Sequence, residues 1–196
     1  MEAGSTQIAP GHPKQAAPGE LELVRKFVNT RDVEEGIDEL DTPKALRRWL
    51  SSQGFKSKAP RPTEADVRRA IALRESLRAL LLANNGERVD RRAVETLNAI
   101  SDDLRLQVRF APEGGSALEP AGTGVDAALG VLLGIVFRST AEGTWPRLKA
   151  CRFDTCQWAF FDHSKNRSGT WCSMAVCGNR SKARAYRERH RADTSA

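Results

Sequence analysis

Apolar residues recur along the first two thirds of the chain at the spacing of helix faces. In LELVRKFVNT, Leu21, Leu23, Val24, Phe27 and Val28 fit a short helix or mixed segment packed on a core. Thr42-Pro43 opens a second helix to about Gln53: Thr42 is its N-cap, Pro43 sits in the first turn where a missing N–H costs nothing, and Gly54 is the stop. Its inward face is Leu46, Trp49 and Leu50. Beyond the proline-punctuated link at 60–62, Thr63 and Asp66 make a capping arrangement for a long helix to about Asn84, striped by Val67, Ile71, Leu77, Leu80 and Leu81. Asp90 reads as the N-cap of the next helix, which turns Val94, Leu97 and Ile100 inward.

The period then changes to two. Leu104, Leu106, Val108 and Phe110 alternate with Arg105, Gln107 and Arg109, the pattern of a half-buried strand. Pro112 and Gly114-Gly115 turn the chain toward a second short strand near 116–120, giving a hairpin on an otherwise helical domain. Val125 to Phe137 is a run of thirteen apolar-rich residues. It reads as a buried helix ending near Thr140, and it falls short of the roughly 18 residues that a membrane span needs. Residues 1–19, rich in Ala, Pro and Gly, read as a flexible tail. The fold expected is α+β and mainly helical: an N-terminal domain over 20–146 and a small C-terminal module over 147–196.

Charge divides along the same line. Residues 147–196 hold 11 Lys and Arg against 4 Asp and Glu, a net of +7, whereas residues 1–146 hold 20 against 21. A basic module of this kind points to a polyanionic partner. All four cysteines also lie in the basic segment, as two C-x4-C pairs, Cys151 with Cys156 and Cys172 with Cys177. Fifteen residues separate the pairs, enough for a hairpin to return the second to the first, and the spacing is one that tetrahedral zinc sites use.

Two disulfides and free buried thiols are the alternatives to zinc. The opening MEAGSTQIAPGHP has no basic region leading into an apolar one, so nothing in it directs the chain to an oxidising compartment, and a cytoplasmic location is expected. Four thiolates around one zinc leave no open coordination position, so such a zinc is structural. His163 lies between the pairs as a possible competing ligand. No phosphate-binding glycine loop, paired-carboxylate motif or nucleophile motif occurs in the first domain, and no enzymatic step is expected.

The full C-terminal segment, CRFDTCQWAFFDHSKNRSGTWCSMAVCGNRSKARAYRERHR, resembles the CGNR zinc finger. The resemblance is carried by Cys177-Gly178-Asn179-Arg180, by Phe161 and Asp162, by Ser164-Lys165-Asn166-Arg167, and by Trp171-Cys172 and Met174. In that family the finger follows an ABATE domain, found in bacterial proteins regarded as stress-induced transcription regulators. LVRKFVNTRD at 23–32, Gly36-Ile37-Asp38 and LDTPKALRRWL at 40–50 are similar to the opening of that domain. The resemblance implies a DNA-binding transcription regulator with one structural Zn2+.

The residues themselves agree with that implication. Phe153, Trp158, Phe160, Phe161 and Trp171 supply a mini-core around the metal, base stacking being their alternative role. Arg180, Arg184, Arg187 and Arg191 recur at steps of 4, 3 and 4 along one face of a helix, flanked by Lys182 and Arg189, while Ala183 and Tyr186 are placed to pack inward. Such a stripe follows a phosphate backbone or enters a major groove. Arg180 can equally offset the charge of the thiolates. Lys165, Asn166 and Arg167 form a second cluster, able to read base edges, contact phosphate or cap a turn. Asn29, Thr30 and Asp32 are polar in a segment otherwise fit for burial, and suit either helix termination or a small ligand. Double-stranded DNA is the expected partner, with a possible homodimer because one small finger reads few base pairs. A zinc-stabilised protein-interaction module and a ligand or redox sensor are the competing readings.

Overall fold

A computed structural model describes residues 15–55 and 60–194, with side chains as far as residue 190. Among the described residues are six α-helices and three two-stranded antiparallel sheets. Helix α1 (Leu21–Val28) buries Leu21, Val24, Phe27 and Val28. A short ribbon, β1 (Arg31–Asp32) and β2 (Ile37–Asp38), leads to α2 (Pro43–Ser52), where Thr42 Oγ1 accepts from Ala45 N at 3.2 Å and Leu46, Trp49 and Leu50 are buried as expected.

Helix α3 (Glu64–Asn84) packs against α1, α2 and α4 (Arg91–Leu104). Thr63 and Asp66 complete a reciprocal capping box at its start, satisfying two of the backbone N–H groups that a helix leaves without partners. Its inner face differs from the expected stripe. Leu73, Leu77 and Leu81 are fully buried there together with Arg74 and Arg78, whereas Ile71 and Leu80 are half-buried at its edges. Arg74 belongs inside because its guanidinium meets both oxygens of Asp38 at 2.7 Å, a bidentate pair that anchors β2 to α3.

The expected hairpin is present as β3 (Gln107–Phe110) and β4 (Ser116–Glu119), but its burial differs. Leu104 is the last residue of α4, Arg105 caps that helix in the left-handed region at φ 49°, and all four residues of β3 are exposed, Phe110 by 80 %. The cause is what lies beneath. The ribbon rests on α5 (Val125–Ala141) through Leu106, Leu118 and Pro120, and a two-stranded ribbon has no further layer to cover the rest. Gly130 and Gly134 permit that approach: a Cβ at Gly130 would stand 2.5 Å from Pro120 Cβ, and one at Gly134 would stand 3.2 Å from the Leu118 carbonyl oxygen.

After the 3-10 turn Trp145–Arg147, β5 (Leu148–Ala150) pairs with β6 (Ala159–Phe161). The main hydrophobic core runs on into this ribbon, since Leu148, Ala150, Ala159 and Phe161 are buried among the residues of α1, α3 and α5. Within residues 15–19, expected as part of a flexible tail, Gln15 and Ala17 are buried while Pro18 and Gly19 are exposed, and Gln15 Nε2 donates to the Cys172 carbonyl oxygen at 2.8 Å. Residues 1–14 lie outside the described residues. No helix of the described residues is long and apolar enough to cross a membrane.

Candidate functional site

Cys151 follows β5 directly and Cys156 closes the turn before β6, so the first cysteine pair sits at the tip of the β5–β6 ribbon. The expected hairpin is therefore placed differently: it encloses the first pair instead of joining the two. A loop over 162–171 returns the second pair, and Cys177 lies in a single π-helical turn, Met174–Gly178, that runs without a break into α6 (Asn179–Thr194). Gly178 packs closely there, because a Cβ would run into Met174 Sδ and come within 3.2 Å of the Trp171 ring. Asn179 Nδ2 donates to the Ala175 carbonyl oxygen at 3.0 Å and ties that turn to the helix.

The four sulfurs all lie within 4.8 Å of one another. Cys156 and Cys172 are 3.6 Å apart, and Cys172 and Cys177 are 3.7 Å apart. Those separations exclude disulfides, whose sulfurs approach to about 2.05 Å. They suit a tetrahedron around zinc, for which Zn–S bonds of about 2.3 Å set sulfurs about 3.8 Å apart. Protonation alone does not resolve the crowding. Hydrogen bonds from the other three thiols hold the Cys151 pKa well below the usual thiol range, while hydrogen bonding to Cys151 pushes those of Cys156 and Cys172 up. One divalent cation removes the conflict by taking all four as thiolates, and the zinc-finger chemistry of the donor set makes that cation a single structural zinc.

Of the expected aromatic mini-core, Phe160 is buried with Cys151 and Cys177, and Phe153 and Trp171 pack on that cluster. Phe161 belongs to the main core instead, and Trp158 is half-buried. His163 is no ligand. Its Nε2 lies 2.9 Å from the Ala16 carbonyl oxygen and its ring meets Phe161 edge-on.

The N-terminal half of the chain holds the backbone on both sides of the first cysteine pair and just ahead of the second. Asn85, just past α3, donates to the carbonyls of Ala150 and Thr170, both at 2.8 Å. Asn84 Nδ2 donates to the Trp145 and Leu148 carbonyl oxygens at 3.0 and 2.9 Å. Arg78 reaches the Gln157 carbonyl oxygen at 2.9 Å and the Val28 carbonyl oxygen at 2.7 Å. Asn29, at the end of α1, bonds Ala159 twice. Asn84, Asn85 and Arg78 escape a reading of sequence because Asn-Asn-Gly spells only a helix stop and arginines on a helix read as solvated.

The polar trio near the N-terminus is occupied in the same way. Asn29 is spent on Ala159, Thr30 Oγ1 donates to the Phe27 carbonyl oxygen at 2.7 Å, and Asp32 Oδ1 accepts from the backbone N–H groups of Glu34 and Glu35, both at 3.0 Å. Each ends or turns the chain.

Helix α6 leaves the metal site exposed. Arg180, Lys182, Arg184, Arg187 and Arg189 are all solvent-facing, and the side chain of Arg191 lies outside the described residues. Ala183 and Tyr186, expected to pack inward, are exposed as well; the half-buried positions are Ser181 and Ala185. Tyr186 instead stacks on His190, with ring centroids 3.9 Å apart. Two arginines of the stripe are already paired. Arg180 Nη1 meets Glu34 Oε1 of the β1–β2 turn at 2.5 Å while lying over the Phe153 ring, and Arg184 meets Asp154 and Glu188, both at 3.0 Å.

The loop carrying Lys165, Asn166 and Arg167 is anchored from within. Lys149, on β5, donates to Asp162 Oδ2 at 2.7 Å, to the Arg167 carbonyl oxygen at 2.6 Å and to the Gly169 carbonyl oxygen at 3.0 Å. Burial raises the Asp162 carboxyl, but Lys149 and the N–H groups of Ser164 and Gly169 outweigh it and hold the group at about 2.

Residues 147–190 match the family model of the CGNR zinc finger, and residues 21–143 match that of ABATE, described as "Putative stress-induced transcription regulator". That description names a regulator and not an enzyme. No curated protein matches the chain.

Proposed function

The chain belongs to the family in which an ABATE domain precedes a CGNR zinc finger, and on that premise we propose that it is a zinc-dependent, DNA-binding transcription regulator acting in the cytoplasm. Residues 147–196 serve as the DNA-binding finger and residues 20–146 as the regulatory or dimerising part. The observation that carries the reading is α6: a basic, solvent-facing helix that starts directly after the last cysteine, so that a metal-held turn fixes its direction. Arg180, Lys182, Arg184, Arg187 and Arg191 are its proposed DNA contacts, joined by Lys165, Asn166 and Arg167. Zinc supplies rigidity and takes no part in chemistry. Without it the thiols that orient the turn before α6 have no common partner.

The deciding experiment is selection of duplexes from a random-sequence pool by the zinc-loaded full-length chain at physiological salt with competitor DNA. Enrichment of a paired site is expected, its spacing giving the geometry of a homodimer. Cys172→Ser is expected to lose zinc and DNA affinity together. Full affinity in that variant would remove zinc from the account, and absence of any duplex binding by the parent chain would favour a protein-docking role for the finger.

A further inference from the structure

We infer that the turn Ser164–Arg167 is the sequence-reading element, with Asn166 and Arg167 taking the major-groove edges of purines while the cations of α6 hold phosphate. This rests on the DNA-binding reading above and adds a division of labour within it.

Reading a base edge needs side chains whose backbone is fixed before contact, because each freedom lost on binding subtracts from discrimination. The turn meets that condition on every side. Arg167 N donates to the Ser164 carbonyl oxygen at 3.2 Å, closing the turn with Lys165 and Asn166 at its centre. Arg147 Nη1 donates to the carbonyls of Asp162 and Ser164, both at 2.9 Å. The Asp162 carboxylate accepts from Ser164 N at 2.9 Å and Gly169 N at 2.8 Å, and Ser164 Oγ accepts from Ser168 N at 3.1 Å. The buried Lys149 ammonium then holds the Arg167 and Gly169 carbonyls from beneath. A side chain at residue 169 would stand 2.8 Å from the Asp162 carboxylate, so only glycine closes the loop this tightly.

What the anchored turn displays is free. The side chains of Lys165, Asn166 and Arg167 are exposed and, among the described residues, have no hydrogen-bond or ion-pair partner. Asparagine pairs bidentately with adenine and arginine with guanine, so the three types together match a purine-containing step. The stripe on α6 is different. Arg180 and Arg184 are engaged with Glu34, Asp154 and Glu188, and must exchange those carboxylates for whatever they bind. Such an exchange suits a phosphate, which asks only for charge, better than a base edge.

The test uses the zinc-loaded full chain in its parent form and as Asn166→Ala and Arg167→Lys, which leave the net charge unaltered. Each is taken through duplex selection, then measured on the parent's selected site and a scrambled duplex over a range of salt. The discrimination ratio is expected to fall about tenfold or more in each variant, with specificity relaxed at one base position and the salt dependence on scrambled DNA retained. Zinc content, read by chromophoric chelation, certifies the fold. A parent that selects a site while both variants keep its ratio overturns the inference and leaves the DNA-binding reading standing. A parent that binds duplex without selecting a site likewise overturns the inference alone, as a nonspecific phosphate binder, and a parent that binds no duplex overturns both.

Discussion

Asn29 and Ala159 exchange two hydrogen bonds across 130 positions of chain: Asn29 Nδ2 donates to the Ala159 carbonyl oxygen at 2.9 Å, and Ala159 N donates to Asn29 Oδ1 at 2.7 Å. A primary amide here completes the edge of β6 as a neighbouring strand would. Asn29→Ala leaves both backbone groups of buried Ala159 without partners, and we expect a loss of about 2 to 4 kcal/mol in denaturant unfolding. Zinc affinity should drop in parallel, as measured by competition with a chromophoric chelator. Unaltered zinc affinity would show that the joint carries no coupling.

Metal removal should be felt well beyond the cysteines. Asn85 holds the chain just ahead of both pairs, and β5 and β6 contribute side chains to the main core. Chelation of zinc from the full chain is expected to lower amide-exchange protection in β5, β6 and the last turn of α3 as well as in 151–178. Protection lost only within 151–178 would make the finger an independent folding unit.

Glu34 is paired with Arg180, and if the finger binds DNA as proposed, this carboxylate would compete with phosphate for that arginine. Glu34→Gln removes that partner, so affinity for duplex should rise by up to about fivefold, the range of an exposed ion pair, with the gain shrinking as salt rises. The same substitution in an Arg180→Ala background should have no effect. A gain that persists there would assign the change to general charge.

Asp162 supplies a pH signature. Its folded value of about 2 lies below the ordinary 3.8, so the stability it contributes is complete above pH 3.8 and is lost as pH falls toward 2. Between pH 7 and 5 the amide resonance of Gly169, which donates to this carboxylate, should therefore not titrate with Asp162. A midpoint in that interval would mean that Lys149 does not hold the loop. Zinc loss, which follows protonation of thiolates, must be monitored in the same samples.

Much of the architecture was legible. Thr42, Thr63 and Asp90 cap helices as their positions suggest, since a capping residue acts within three positions and its partner is visible in the string. The two cysteine pairs betrayed the metal site for the opposite reason: spacing plus a soft ligand is a signature that survives ignorance of the path between. Burial of β3 was misread because alternation says that one face can be covered and not that something covers it. The roles of Asn84 and Asn85 were missed because their partners are backbone groups 61 or more positions away, and that of the Lys149–Asp162 pair because it joins side chains 13 positions apart, which no local pattern records.

The β5–β6 ribbon also bears on how the chain is made. Leu148, Ala150, Ala159 and Phe161 finish a core whose other walls are α1, α3 and α5, so a nascent chain that has emerged only as far as α5 still has an open seam. At translation rates of about 5–20 residues per second that interval lasts on the order of seconds. The chain up to α5 must therefore wait, partly wetted, for a late-arriving strand, and ribosome stalling between α5 and β6 would leave it open to proteases.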